Sequence, residues 1–461
     1  AIGHLALDAN TTGTHNTAVG QSVLTNSNAS ENTGVGADAL KANTTGVQNT
    51  AVGRKALTAN TTAGYNTAVG YQALLSNVTG ASNTAVGQAA LGSNVDTVSN
   101  TGVGQGALNA CIGSYNTGVG GGAGSLITTG VHNTCMGVNA AGGMTTGTNN
   151  VSIGNYTMGG TVTGASNTAV GYAALNALTT GAFNIAIGRD ALKVNTTGSI
   201  NVALGSYALD ANTTANNNTA LGFQAQTART AGNDNTAVGA YCMNATATGD
   251  SNTALGKSAL HDLTTGYENV AVGLNAGFAI TTGYDNVALG FRALDAATTV
   301  HSCVAIGYDA LGAANTGNSN VAIGRAAMGA NTSGSGTALG SYALAANTTG
   351  ASNTAIGYQA LDTNSTGSRN TAVGNEALDA NSTADDNTAV GYYALLSNTT
   401  GTRNTAVGSL ADYGSTTASD NTVVGYAAMG PANTGSDNCV FGGYAMDANT
   451  SGADNCAFGK S

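Results

Sequence analysis

The sequence predicts an all-β fold, a parallel β-solenoid of roughly 28 coils of about 17 residues, and three observations predict it. The first is the period. The segment from Asn353 to Arg369, NTAIGYQALDTNSTGSR, is one copy of a unit written along the whole chain. Asn16, Asn49, Asn66, Asn83 and Asn100 open earlier copies, and from Asn133 to Asn286 every seventeenth residue is Asn. With slots numbered 1 to 17 from that Asn, slot 5 is Gly throughout, and slot 1 departs from Asn in complete copies only at Cys303 and Gly336. The second observation is alternation: slots 2 and 4 carry Thr, Val or Cys and Val, Ile, Leu, Met or Phe respectively, while slot 3 between them is nearly always Ala, Gly, Ser or Cys. The third is charge placement. Of the 35 Asp, Glu, Lys and Arg residues, 32 fall in slots 6, 7, 10, 11, 16 and 17, the exceptions being Asp96, Arg229 and Asp412. Unpaired charge is costly to bury, so those six slots mark solvent-facing corners.

Within one coil, slots 2 to 4 read as a short strand with its branched side chains inward, and slots 7 to 9, ending in Ala-Leu as in Ala360-Leu361, read as a second strand. Slots 2, 4 and 9 are therefore expected to be buried and slots 6, 10 and 17 exposed. Gly20, Gly53, Gly171, Gly357 and Gly374 stand for the slot-5 glycine between the strands, where the backbone must turn with positive φ or pass close to another backbone. Gly46, Gly181 and Gly367 in slot 15 read the same way. Stacking places Asn16, Asn49, Asn167, Asn353 and Asn370 in one column about 4.8 Å apart, where their carboxamides can bond to one another and to corner backbone. Slot 12 is a second Asn column, interrupted by Ile127, Met144, Leu178, Leu263 and Ile280.

Residues 1–461 read as one continuous repeat domain, entered and left in mid-coil, since both ends cut a copy without a capping sequence. One-residue deletions in the copies starting at Asn16 and Asn100 belong in corners. At Ser409-Leu410-Ala411-Asp412-Tyr413 the apolar residue shifts from slot 9 to slot 7, and a local distortion is expected. At about 4.8 Å per coil the whole would form a rod of roughly 130 Å. The net charge of −11 argues against nucleic acid as a partner, and no apolar run approaches the ~20 residues of a membrane helix, so insertion of this segment is not expected.

No enzyme chemistry, cofactor site or metal site stands out. His4, His15, His132, His261 and His301 are scattered without ligand spacing, and no Ser-His-Asp set, carboxylate pair or phosphate loop is present. Slot 12 repeats Asn-x-Thr/Ser, making Asn43, Asn60, Asn347, Asn364 and Asn398 formal glycosylation acceptors, although the same slot accepts Leu and so reads as inward-facing. A Thr-x-Thr ice-binding file is not formed by slots 13 and 14, which are adjacent and point opposite ways. Tyr71, Tyr172, Tyr358 and Tyr392 share slot 6, where exposed rings can pack a neighbouring subunit or stack on sugar. Cys439 and Cys456 occupy slot 2 one coil apart, near the Cα spacing of a disulfide; the reading preferred is two small buried thiols, because in-register side chains point the same way.

At NTAVGYQALLSNVTGAS, Asn66 to Ser82, the repeat resembles two families. The N-T-A-V-G core is similar to the head repeats of trimeric autotransporter adhesins, and the full unit with A-L and N-T-T-G resembles the shaft repeats of phage tail fibres. The resemblance spans essentially the whole chain. It implies a left-handed parallel β-roll in a homotrimer and an extracellular, non-enzymatic structural fibre, the shaft of a viral tail fibre or cell-surface appendage carrying a binding tip. The alternative it leaves open is an adhesin or filament whose repeated surface binds or carries cell-surface glycan.

Overall fold

A computed structural model describes residues 1–228, 231–245, 247–431 and 433–460; Arg229, one of the charges outside the corner slots, lies outside the described residues. The chain forms two units, Ala1–Asn233 and Asp234–Ser461. The first carries thirteen three-residue strands from β1 (Thr17–Val19) to β13 (Thr219–Leu221), each paired in parallel with the next in chain order. The second runs in the same way from β14 (Thr236–Val238) to β27 (Cys456–Phe458). Each unit is thus a parallel β-solenoid whose coil adds one strand, and the described residues contain no helix.

Register is kept slot for slot: Thr50 faces Thr67, Ala51 faces Ala68 and Val52 faces Val69. It survives the deletions too, with Thr17 opposite Thr33 and Thr101 opposite Thr117. The lost residue comes out of the bend at slots 13 and 14, because Cys111 keeps the buried place of slot 12 and Gly113 that of slot 15.

The strand is turned over relative to the expectation from alternation. Slot 3 faces inward, as at Ala51, Ala169 and Ala355, all 0% exposed, whereas slots 2 and 4 face out: Val52 is 36% and Ile356 37% exposed, and Val19 is half-buried. Volume decides it. Where slot 3 is Gly, a Cβ placed at Gly118 would already lie 2.8 Å from Cγ of Leu108, the slot-9 leucine of the coil before, so a branched side chain has no room in that coil, although Val423 and Val440 fit in slot 3 of two others. The interior belongs to slots 8 and 9, whose Ala360 and Leu361 are both fully buried.

Two neighbours buried together are incompatible with a strand, whose side chains alternate, and slots 6 to 11 form a turn instead of the expected second strand. Residues in slots 7 and 9 adopt left-handed backbone, with φ of 53° at Gln359 and 54° at Leu361, and this brings consecutive side chains to the same side. The turn is still bonded from coil to coil: the Gln359 N–H donates to the Ser341 carbonyl below, and the Leu361 N–H to the Ala377 carbonyl above. Slot 17 is left-handed as well, as at Arg369 with φ of 59°. Such conformations cost free energy in L-residues and persist because neighbouring coils over-determine them.

The slot-5 glycine has both properties expected of it. Gly357 has φ of 137°, and a Cβ on it would stand 2.3 Å from the carbonyl oxygen of Gly374 in the next coil. Slot 15 differs: Gly367 meets the close approach alone, at 2.4 Å from the Ala384 carbonyl oxygen, and its φ is not positive. The segment around Asp412 shows no distortion. Leu410 and Asp412 take the usual left-handed φ of slots 7 and 9, so the coil stays regular and the carboxylate enters the core.

Two substitutions test this backbone. Gly357→Ala should lower stability by at least about 2 kcal/mol in denaturant unfolding, through strain and backbone contact together. Ile200, β-branched at φ of 60° and 57% exposed, should be improved by Asn, which tolerates the left-handed region; Ile200→Asn is expected to gain about 1 kcal/mol in the same measurement.

Candidate functional site

The chemistry of the chain is concentrated in its carboxamide columns. In slot 1 the side-chain Oδ1 accepts the backbone N–H of the slot-1 residue one coil later, at 2.9 Å from Asn16 to Asn32 and from Asn353 to Asn370, and the contact recurs through both units. The Nδ2 donates across the interior to the slot-15 carbonyl of its own coil, 2.9 Å from Asn49 to Ala63, 3.0 Å from Asn167 to Gly181 and 2.7 Å from Asn370 to Ala384. Each Asn therefore satisfies one main-chain donor and one main-chain acceptor that no strand pairing reaches. The two exceptions behave as their chemistry requires: Cys303 and Gly336 each still donate a backbone N–H to the Asn before, but present no carboxamide to the coil after.

Slot 12 forms a second column. Asn60 Nδ2 donates to Asn43 Oδ1 at 2.8 Å, and Asn364 Nδ2 donates to Asn347 Oδ1 and to the Gly367 carbonyl, both at 2.9 Å. Where Ile127, Met144, Leu178, Leu263 and Ile280 replace it, the slot stays buried. The formal glycosylation acceptors Asn43, Asn60, Asn347, Asn364 and Asn398 are all 0% exposed with Nδ2 already bonded, so the folded coil does not offer these nitrogens to a modifying enzyme. A third ladder was not foreseen: slot-13 hydroxyls donate to the slot-13 carbonyl one coil on, as from Thr348 to Ser365 at 2.9 Å. The run of Ser and Thr in that slot is the signal that could have revealed it.

Asp412 is the one carboxylate placed in a leucine slot. Leu395 and Met429 hold the same slot in the coils on either side. Ser415 donates to one of its oxygens; the other, together with Oδ1 of Asn398 one coil below Ser415, is buried without a partner. Burial pushes the Asp412 carboxyl up to about 7, and the Ser415 bond opposes this only weakly. At the surface, Asp386 is held below the usual carboxylate range by its bond to Arg369, 2.7 Å away, an exposed pair that contributes little stability.

The aromatic side chains pair with one another along the stack. In slot 16, Tyr267, Tyr284 and His301 are stacked with centroids 4.9 and 4.8 Å apart; in a separate column at slots 6 and 7, Phe291 stacks on Tyr308 and the Arg325 guanidinium lies over the Tyr308 and Tyr342 rings. The slot-6 tyrosines Tyr71, Tyr172, Tyr358 and Tyr392 stay exposed, Tyr172 and Tyr358 meeting a neighbouring ring edge-on. Among the described residues no group of three or more His, Cys, Asp or Glu could hold a metal, and no helix is long and apolar enough to cross a membrane.

The surface that sequence reasoning placed inside is the outward face of the strands. Slots 2 and 4 contain no charged residue in any of the 27 strands, and their aliphatic side chains are bare, with Leu255 46% and Leu339 43% exposed. Cys439 and Cys456 lie on this face, free and outward, not buried as preferred from the sequence and not joined to each other. The signal for the inversion was the adjacent Ala-Leu pair of slots 8 and 9, which claims the interior volume.

No protein-family model matches the chain, and no curated protein sequence matches it.

Two predictions arise from these columns. Asn370→Ala leaves the buried Asn387 N–H without a partner and the Ala384 carbonyl with Asn381 Nδ2 alone, and should cost about 1 to 3 kcal/mol in denaturant unfolding. For Asp412 the folded carboxyl binds its proton more tightly than the unfolded one. Stability is therefore fully present below about pH 4 and falls until about pH 7, by on the order of 4 kcal/mol. Asp210 and Asp379, raised to about 6 mainly by burial, act in the same direction, so the check is the difference between wild type and Asp412→Leu. The variant should have the shallower pH dependence and the higher melting temperature at pH 8.

Proposed function

We propose that this chain is a segment of a non-enzymatic structural fibre, working outside the cell as the shaft of a viral tail fibre or cell-surface appendage that holds a binding tip at a distance. Copies associate, as a trimer, through the outward sheet face. The observation that carries this reading is the continuous uncharged face of slots 2 and 4 on coils whose corners carry almost all the charge. Taking about 4.8 Å per strand and about 10 Å of width, the thirteen strands of the first unit present roughly 600 Å². Two such faces would bury about 1,200 Å², the lower end of stable interfaces, before the second unit is counted. Three hydrogen-bonded columns running from coil to coil, with one Pro in the chain, suit a stiff spacer.

The alternative, an adhesin whose repeated surface binds or carries glycan, has less support. The slot-12 amides that would carry glycan are buried, and of the exposed slot-6 rings Tyr172 and Tyr358 already meet a neighbouring ring edge-on. The sequence resemblance to tail-fibre and adhesin repeats supports the extracellular shaft.

Sedimentation equilibrium of the purified chain should give the mass of three copies. Val373→Lys with Val390→Lys, which places charge on the outward face without touching the interior, should shift it toward one copy while circular dichroism stays unchanged. A single-chain mass for the wild type would overturn the association, and glycan binding by the wild type that Tyr358→Ala abolishes would favour the adhesin.

A further inference from the structure

The outward face changes composition at one place. In β26 (Cys439–Phe441) and β27, slot 2 becomes Cys and slot 4 becomes Phe, where the other strands carry Thr, Val or Ile and an aliphatic residue or Met. Cys439 and Cys456 are partners in the parallel register, and Phe441 and Phe458 stack beside them with centroids 5.2 Å apart. These two thiols differ from the other four. Cys111, Cys135, Cys242 and Cys303 are buried, and burial pushes Cys135 and Cys242 up to about 12, where they are inert; Cys439 is half-buried and Cys456 exposed.

The two thiols are free and in hydrogen-bond contact with each other, but the strand geometry does not favour a bond between them. In-register parallel strands hold both Cα and Cβ atoms about 4.8 Å apart with parallel Cα–Cβ directions, whereas a disulfide draws the Cβ atoms to about 3.8 Å. Both thiols instead point off the sheet toward whatever covers it. We propose that Cys439 and Cys456 are the sites of disulfides between copies of this chain, covalent locks across the sheet face; this rests on the association of copies through that face. Two thiols per copy let each copy of a ring join both its neighbours.

The oxidant required is a small disulfide such as oxidised glutathione. The exposed Cys456 thiolate of one copy attacks it, the glutathione sulfur–sulfur bond breaks, and one glutathione leaves as thiolate and takes up a proton. A cysteine thiolate of the second copy then attacks the Cys456 sulfur of the mixed disulfide and releases the other glutathione. Two protein thiols are oxidised and one glutathione disulfide is reduced. Cys456, the more exposed of the two, suits the first step, and the half-buried Cys439 the second.

The test is incubation of the chain with oxidised glutathione, a non-reducing denaturing gel, and a thiol count and sedimentation equilibrium on the same samples. Thr is the usual slot-2 residue, so Cys439→Thr and Cys456→Thr are expected to fold. Wild type should give covalent species larger than a dimer that dithiothreitol abolishes; each single variant should stop at a covalent dimer. The double variant should run as one chain on the gel yet keep the multimeric mass in solution. Multimeric wild type that keeps both outward thiols free, or loses them while running as a single chain, overturns the cross-link and leaves the association standing. A single-chain mass in solution with no covalent species overturns both.

Discussion

A coil of 17 residues with only three of them in a strand must find partners for most of its backbone elsewhere, and the slot-1 carboxamide is the interaction that makes this possible. Its Oδ1 takes the N–H that enters the next strand, and its Nδ2 takes the carbonyl that closes its own coil. A side chain without the Oδ1 would leave the next coil's buried N–H unpaired, and one without the Nδ2 would strand the slot-15 carbonyl wherever slot 12 is not Asn, at about 1 to 3 kcal/mol each. Asp would lack the donor, Leu both groups, and Gln would reach one methylene too far. Cys303 can still offer its sulfur to the Gly317 carbonyl at 3.6 Å, a weak substitute that is tolerated because Asn315 and Asn320 donate to the same carbonyl.

 The columns also explain why small deletions do no harm. They fall in bends, and the carboxamide reaches the slot-15 carbonyl all the same, at 2.8 Å from Asn16 to Ala29 and 3.0 Å from Asn100 to Gly113.

How much of this was legible in the sequence follows from which residues lacked alternatives. The period and the slot-5 glycine could be read because Gly alone fits that place, the slot-1 column because Asn recurs there with two exceptions, and the charged corners because burial of charge is costly. The direction of the strand could not be read from alternation, which defines two faces but not which is inside. Hydrophobicity favoured the branched face, and volume overruled it: Leu108 fills the space beneath Gly118. The left-handed turn was hidden for a different reason. Leu361 and Gln359 have no propensity for positive φ, and tertiary stacking imposes it. Asp412 was noticed as an irregularity, but the response of the fold was misjudged, since a solenoid held on both sides buries a carboxylate more readily than it breaks register.

An apolar face is left outside while carboxamide columns are buried beside the Ala and Leu core, and this arrangement links structure to the proposed role. Carboxamides are acceptable in the core because each is satisfied, and they make stacking directional, so one coil specifies the position of the next. The aliphatic stripe left outside is the surface on which the proposed association would be built. Aromatic and guanidinium side chains along the corners stack upon one another and add to the stiffness of the same axis.

The central claim is that slot-1 backbone N–H groups are held by side chains as firmly as strand N–H groups are held by backbone. Site-resolved hydrogen exchange of the folded chain tests it directly. The amides of Asn49, Asn370 and Asn387 should exchange as slowly as those of Thr50, Thr371 and Thr388 beside them, and together with them as denaturant is raised. Slot-1 amides that exchange freely while the neighbouring threonine amides stay protected would contradict the account.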